Sequence, residues 1–261
     1  MENKIIITDN LSIGYFHKKE EKSIASGITI SLEKKKLIAL IGANGIGKST
    51  LLRTLIGIQK PLSGKVYFEN QEIHDFSPLE LAQKLSVVLT EKLPPSNLTV
   101  FELIALGRQP YTNWMGKLTK NDLKKINAAV TLTDISHLLE KRHYEISDGQ
   151  LQKVLIARAL AQDTQVIILD EPTTHLDLQH KATLFKLLKK LTSETEKCIL
   201  FSTHDMDLAL QLSDEIIVMT NQGIVQDKPQ NIINSGILNR LFPDESIIFD
   251  IEKGKFLFKD N

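Results

Sequence analysis

The sequence predicts an α/β fold: a mainly parallel core sheet with an antiparallel β lobe and a helical lobe attached. Three observations lead there. Leu37-Ile38-Ala39-Leu40-Ile41, Val166-Ile167-Ile168-Leu169 and Cys198-Ile199-Leu200-Phe201 are continuous apolar runs, the pattern of strands covered on both faces. Residues suited to bind a ligand follow each run: Gly42 to Thr50, Asp170-Glu171, and Ser202-Thr203-His204-Asp205. Open α/β sheets bind ligands beyond the carboxyl ends of their strands. Between these runs, residues from about 95 to 160 carry helical signals rather than strand alternation.

Taken in order, residues 1 to about 35 and 64 to 73 alternate apolar with polar, as an antiparallel sheet does. Ser63-Gly64 marks a turn into Val66-Tyr67-Phe68. Leu37 to Ile41 makes a buried strand, and Ser49 to Ile56 reads as the helix after the glycine-rich loop. Thr99 and Glu102 form a capping box for a helix over Val100 to Leu106, and Gly107 is expected to stop it. Thr119 caps a longer helix running through Asn127 toward Leu132. Ser147 precedes another over Leu151 to Ala161. Asn221-Gln222-Gly223 is a hairpin turn, with a helix near Ile237 to Leu241 and a small strand pair within Phe249 to Phe258. No Pro/Gly/Ser-rich linker divides the chain. The reading is therefore one domain over 1–261, with the core at about 1–90 and 163–261 and the helical lobe at about 91–162.

Composition narrows the role. Lys+Arg and Asp+Glu both number 32, so the formal net charge is zero, against the basic excess expected of a nucleic-acid binder. The single Cys198 excludes an internal disulfide and reads as a small buried hydrophobe. Met1 to Asn10 lacks the charged start and apolar stretch of a signal peptide. No apolar run approaches the roughly 18 residues of a membrane span, so membrane association is expected through a partner.

The motif Gly42-Ala43-Asn44-Gly45-Ile46-Gly47-Lys48-Ser49-Thr50 fits G-x-x-x-x-G-K-[ST]. Its glycines let backbone N–H groups turn inward around phosphate, and the following helix aims its positive end there. Lys48 supplies a cation for the terminal phosphates, and the Ser49 hydroxyl suits Mg²⁺. Asp170 and Glu171 leave a buried strand as a pair: Asp170 suits Mg²⁺, and Glu171, one residue further out, suits the proton of an attacking water. Ile146-Ser147-Asp148-Gly149-Gln150 opens a helix and is a second anion-binding device, about 100 residues from the first. One economical explanation is that it serves a neighbouring copy's nucleotide.

These motifs, in this order, resemble the nucleotide-binding subunit of an ATP-binding cassette (ABC) transporter over nearly the whole chain. Gly42 to Thr50 is similar to that family's Walker A loop and Val166 to Glu171 to Walker B. Ile146 to Gln150 is similar to its signature sequence, Thr174-His175-Leu176-Asp177 to its D-loop, and Ser202 to Asp205 to its switch-histidine segment. Tyr15 sits where the family stacks an aromatic on adenine. The resemblance implies an ABC-type P-loop ATPase using ATP and Mg²⁺, with two copies pairing head to tail over two nucleotides. Ser147, Gly149 and Gln150 of one copy would then cover the γ-phosphate held by the other's Lys48 loop, with Asp177 nearby. Glu171 would activate water and His204 would hold the γ-phosphate. Further partners implied are integral membrane permease subunits and, indirectly, a substrate-binding protein, which places the chain on the cytoplasmic face of a bacterial inner membrane.

Two positions depart from the family. Asp148 stands where a glycine is usual and is expected to cap the helix. Thr90-Glu91 stands where the family places a Gln that contacts Mg²⁺, and either side chain offers a suitable oxygen. The stretch Asn97 to Arg108 with Tyr111, Trp114 and Asp122 looks like ATPases of iron-chelate, siderophore, haem and cobalamin importers. Tyr111 and Trp114 are expected to pack within the helical lobe, with a permease groove as the other reading. The alternatives are a non-transport ABC-type ATPase, either a ribosome factor or an assembly scaffold, and a small-molecule kinase. Ribosome factors usually carry two cassettes where this chain shows one Lys48-type loop, and a kinase needs neither Ile146 to Gln150 nor His204.

Overall fold

Six strands form the central sheet of the computed structural model, which describes residues 3–17, 20–89, 93–94, 96–174, 176–242, 247–251 and 253–258. Three strands come first in the chain: β1 (Lys4–His17), β2 (Glu20–Ile28) and β3 (Ser31–Glu33). With β5 (Ser63–Phe68) and β6 (Gln71–Glu72) they make an antiparallel sheet in the order β2-β1-β5-β6, with β3 also paired to β1. The central sheet is built from β4 (Leu37–Gly42), β7 (Leu85–Val88), β8 (Val166–Leu169), β9 (Cys198–Ser202), β10 (Glu215–Thr220) and β11 (Gly223–Asp227). Its order is β11-β10-β4-β9-β8-β7, parallel throughout except for β11.

Side-chain alternation in the central sheet feeds two cores. Leu37, Ala39, Ile41, Ile167, Leu169, Ile199 and Phe201 face one cluster, while Ile38, Leu40, Val166, Ile168, Cys198 and Leu200 face the other. All are buried, which explains the unbroken apolar runs, because neither face of these strands meets water. Each such large aliphatic contributes about 1.5–3 kcal/mol on burial. Helix α1 (Lys48–Leu55) covers the face shared with the antiparallel sheet, where Leu51, Leu52 and Leu55 join the second cluster. Cys198 is fully buried, and burial pushes its thiol far above the ordinary range, as expected of an inert core residue.

Beyond α2 (Pro78–Lys84) and β7 lies the helical lobe: α3 (Val100–Ala105), α4 (Lys120–Thr133) and α5 (Asp148–Ala161). Thr99–Glu102 forms the expected capping box, and Thr119, expected as a cap, forms a second box with Asp122. Asp122 does more than cap. Its Oδ1 accepts from Arg108 Nε at 2.8 Å, and both side chains are only 3% exposed. Arg108 Nη1 also donates to the Ala161 carbonyl at 2.8 Å, tying α4 to the end of α5. The Thr119 hydroxyl bond, with Arg108 assisting, holds the Asp122 carboxyl below the usual range despite burial.

α3 ends at Ala105, close to the expected stop, but Gly107 is not its cap. The chain continues there as a 3₁₀ helix, Leu106–Tyr111. A Cβ at Gly107 would fall 2.2 Å from the Arg158 carbonyl oxygen, so glycine serves a close approach to α5 and not a left-handed cap. Tyr111 is only partly covered, 37% exposed, with the Arg108 guanidinium 4.0 Å from its ring centre. Trp114 does not pack as expected: it is 93% exposed.

The chain then continues through α6 (Leu178–Thr195), α7 (Met206–Leu212) and α8 (Pro229–Asn234), and closes with β12 (Ile247–Asp250) paired antiparallel to β13 (Lys255–Phe258). Ile237–Leu241 is helical, but as a 3₁₀ turn. The expected hairpin turn joins β10 to β11, with Thr220 opposite Gly223.

Candidate nucleotide site

Because β4, β9 and β8 are adjacent and parallel, their carboxyl ends bring three distant motifs to one edge of the sheet. From β4 comes the loop Gly42 to Gly47. Gly45 and Gly47 have φ of 74° and 112°, a region open to glycine at little cost. A Cβ at Gly47 would also meet Ile24 at 2.4 Å. The loop thus curls back on itself before α1, in the backbone geometry that turns glycine amides toward an anion. Ile46 closes the curl by donating its N–H to the Ala43 carbonyl at 3.4 Å.

Lys48 is 6% exposed, and its Nζ donates to the carbonyls of Gly42 at 3.1 Å and Ala43 at 3.2 Å. Burial lowers its pKa, while the negative charges of Glu171 and Asp170 oppose that shift. Tyr15, Asn44, Lys48, Ser49, Thr50 and Glu171 are among the walls of one cavity of about 390 Å³. The Tyr15 hydroxyl lies 2.5 Å from Thr50 Oγ1, which anchors a ring that is otherwise 45% exposed beside the loop.

From β8 come Asp170 and Glu171, and from β9 come Ser202 and His204. Ser202, fully buried, donates its hydroxyl to Asp170 Oδ1 at 2.7 Å and accepts the Glu171 N–H at 2.8 Å. Glu171 has φ 49°, a conformation that costs a non-glycine residue about 1–3 kcal/mol. Its Oε1 lies 2.6 Å from His204 Nε2. The His204 loop is held in turn by Asp205, which accepts from the Thr173 hydroxyl at 2.6 Å and from Lys181 Nζ at 2.7 Å.

The other predicted residues lie elsewhere. Ser147 caps α5: its hydroxyl accepts the Gln150 N–H at 3.3 Å, and its own N–H donates to Gln150 Oε1 at 3.1 Å. Asp148 therefore does not cap. It is the first residue of the helix and is exposed. None of Ser147, Gly149 and Gln150 lines the Lys48 cavity. A second cleft of about 520 Å³ runs between the lobes from Tyr144 and Asp148 to Asp170 and Glu171, so Glu171 borders both spaces. Asp177 caps α6, and its bonds with His180, the backbone N–H first, hold its carboxyl below the usual range. Thr90, Glu91 and His175 lie outside the described residues.

The donor set suits a nucleotide with Mg²⁺. The Ser49 hydroxyl and an Asp170 carboxylate oriented by Ser202 are hard oxygen donors. Among the described residues, no group of three or more His, Cys, Asp or Glu could hold a metal. Mg²⁺ needs none, since it takes one or two protein oxygens and completes its shell with phosphate and water. Sequence reading missed the orienting role of Ser202, the Asp205 anchor, and a contact between His180 and Gly149. Only the pairing of β8 with β9 and the nearness of the His180 ring to Gly149 reveal them.

The profile of the ABC transporter family matches residues 25–174, more than half of the chain. The chain belongs to the ABC transporter family. Within that family it is an ATPase, similar to an uncharacterized ABC transporter ATP-binding protein of Methanocaldococcus jannaschii (40% identity over 97% of this chain and 87% of that protein). It is 34% identical to the iron(3+)-hydroxamate import ATP-binding protein of Bacillus subtilis, over 95% of this chain and 91% of that one. Its fold matches the bacterial ABC transporter cassette MJ0796, solved as a dimer and in a post-hydrolysis state with ADP and Pi. That match has a TM-score of 0.73 and 26% identity, and covers 86% of this chain and 99% of that one. These likenesses favour a transport ATPase over the ribosome-factor and scaffold alternatives. Among the described residues, no helix of this ABC ATPase is long and apolar enough to cross a membrane.

Proposed function

We propose that this ABC ATPase powers an importer of iron chelates, working as a pair of copies that close over two ATP molecules. The observation that carries this is a division within the chain. The phosphate loop and Glu171 border one cavity, while Ser147 and Gly149 stand outside it, on the start of α5. A two-fold partner would supply those missing groups.

In this mechanism the Lys48 ammonium neutralises the terminal phosphates, and the Gly45 to Gly47 amides cradle them. Ser49 and Asp170 would hold Mg²⁺, which when bound stabilises charge on the β- and γ-phosphates. Glu171 takes a proton from the water whose oxygen attacks the γ-phosphorus as the bond to the β-phosphate oxygen breaks. His204 Nε2 gives up its bond to Glu171 and donates to the γ-phosphate. The Ser147 hydroxyl and Gly149 N–H of the partner copy close the site, and Asp177 lies beside it. Tyr15 supports the adenine. Phosphate release removes the contacts shared by the copies, and the opening drives the permease.

Iron-chelate cargo is supported by the likeness to the iron(3+)-hydroxamate importer subunit. A permease partner at the cytoplasmic face of a bacterial membrane, served by a substrate-binding protein, is supported by the same likeness to an importer subunit, and the exposed Trp114 and Met115, 93% and 62% accessible, are the candidate contact residues.

The test is Glu171→Gln, which keeps shape but loses the base. With ATP and Mg²⁺ it should elute as a dimer and release phosphate at least about a hundredfold more slowly than wild type. A Gln variant that stays monomeric at saturating ATP, or that turns over near the wild-type rate, would defeat this reading.

A further inference from the structure

Gly149 is the second residue of α5, and its backbone does not call for glycine, since its φ is not among the positive ones. A helical glycine costs up to about 1 kcal/mol relative to alanine. Its immediate surroundings supply a reason. A Cβ at Gly149 would lie 2.9 Å from His180 Cδ2, 3.5 Å from Cγ and 3.7 Å from Nε2. The His180 ring thus lies against the start of α5.

The ring is held there from its other side. His180 Nδ1 is 2.8 Å from Asp177 Oδ1, and the His180 backbone N–H donates to that same oxygen at 2.8 Å. One carboxylate oxygen therefore caps α6 and fixes the imidazole. The His180 side chain is 56% exposed, so its removal opens no core cavity. The Asp177 cap to the backbone survives without the ring. The arrangement is a surface latch between two helix starts 28 residues apart in sequence, Gly149 and Asp177.

We propose that His180 is a positioning residue that latches the Gly149 end of α5 to the Asp177 end of α6. The two segments that this chain presents to its partner's nucleotide then move as one body. This inference rests on the paired-copy reading above and adds a residue that touches neither nucleotide nor phosphate. A side chain at Gly149 would push the ring away and break its bond to Asp177, so part of the cost of Gly149→Ala should run through His180.

The experiment uses the full chain carrying Glu171→Gln and measures the ATP concentration for half-maximal dimer formation. His180→Ala and Gly149→Ala should each raise it, by about three- to tenfold for His180→Ala. Combined, they should raise it by much less than the product of the single effects, because with the ring gone the alanine meets nothing of it. His180→Ala should leave binding of a fluorescent ATP analogue to the dilute monomer, and the melting temperature, unchanged. Full additivity would overturn the latch and leave Gly149 to serve phosphate alone. A His180→Ala chain that melts lower and binds nucleotide more weakly as a monomer would also overturn it, as a merely structural role. Failure of the Glu171→Gln parent to dimerise would instead strike the paired-copy reading, and the latch with it.

Discussion

Ser202→Ala tests the link between the two carboxylates of the site. The Ser202 hydroxyl is fully buried, donates to Asp170 Oδ1 at 2.7 Å and accepts the Glu171 N–H at 2.8 Å. Alanine removes both bonds. A hydrogen bond to a charged group contributes about 1.5–3 kcal/mol and a neutral one about 1 kcal/mol, so the folded state should lose about 3 kcal/mol. The functional loss comes through geometry. Glu171 holds φ 49° only while its neighbours enforce it. Freed at its N–H, the backbone relaxes toward negative φ and the carboxylate leaves its place beside His204. If about 1.4–2.8 kcal/mol of positioning is lost from the transition state, kcat falls ten- to a hundredfold. KM for ATP should rise by less than kcat falls, because the Gly42 to Thr50 loop is untouched and only the Asp170 side of the Mg²⁺ site loses a bond. Phosphate release measured against ATP concentration, with a urea melt of the same protein, separates the two effects. A variant with kcat within twofold of wild type would refute Ser202 as the residue that aims Glu171.

Three other outcomes are expected. Trp114→Ala should change unfolding free energy by less than about 0.5 kcal/mol, since its side chain is 93% in water. It should lower the fraction of the ATPase retained on permease-containing membranes, and unchanged retention would remove this tip from the docking surface. Arg108→Ala should cost about 3–5 kcal/mol in a denaturant melt, because it strands the buried Asp122 carboxylate. Asp122 also sets an acid limit. Its folded pKa is depressed by Thr119 and Arg108, so its contribution is present above the unfolded value near 3.9 and is lost as pH falls through the lower folded value. Asp122→Asn should therefore be less stable at neutral pH and show a flatter loss of stability below about pH 4, and an unchanged slope would exclude this carboxyl as a source of acid sensitivity.

Much of this site could be read before any coordinates because its parts are contiguous. The phosphate loop, the acids after Val166 to Leu169 and the histidine after Cys198 to Phe201 each follow a strand whose double burial leaves an unbroken apolar run. Local chemistry likewise exposed the Thr99 and Thr119 caps, whose partners lie three residues away. Contacts set by packing were not readable. Ser202 meets Asp170 only because β9 lies beside β8, with Phe201 opposite Leu169. Gly107 reads as a helix stop until the Arg158 carbonyl is found against it. Trp114 carries the composition of a core residue, and only the path of the loop puts it in water. Asp148 suits a cap by residue type, yet Ser147 takes that position because its hydroxyl reaches the Gln150 N–H.

The first turn of α6 touches more of the site than any one motif does. Its cap Asp177 belongs to the segment directed at the partner copy. His180, three residues on, lies against Gly149 at the start of α5. Lys181 bonds Asp205 at 2.7 Å, next to His204, which meets Glu171 at 2.6 Å. In the paired assembly proposed above, Asp177 and Gly149 would serve the partner's nucleotide, while Glu171 and His204 would serve the chain's own. One rigid helix start is thus in contact with elements of both sites. A displacement of α6 on phosphate loss at one site must then either break the Lys181–Asp205 pair or carry the His204 loop with it. Breaking it would leave Asp205 held by the Thr173 hydroxyl at 2.6 Å. In the proposed pair, the start of α6 would therefore touch residues assigned to both nucleotide sites.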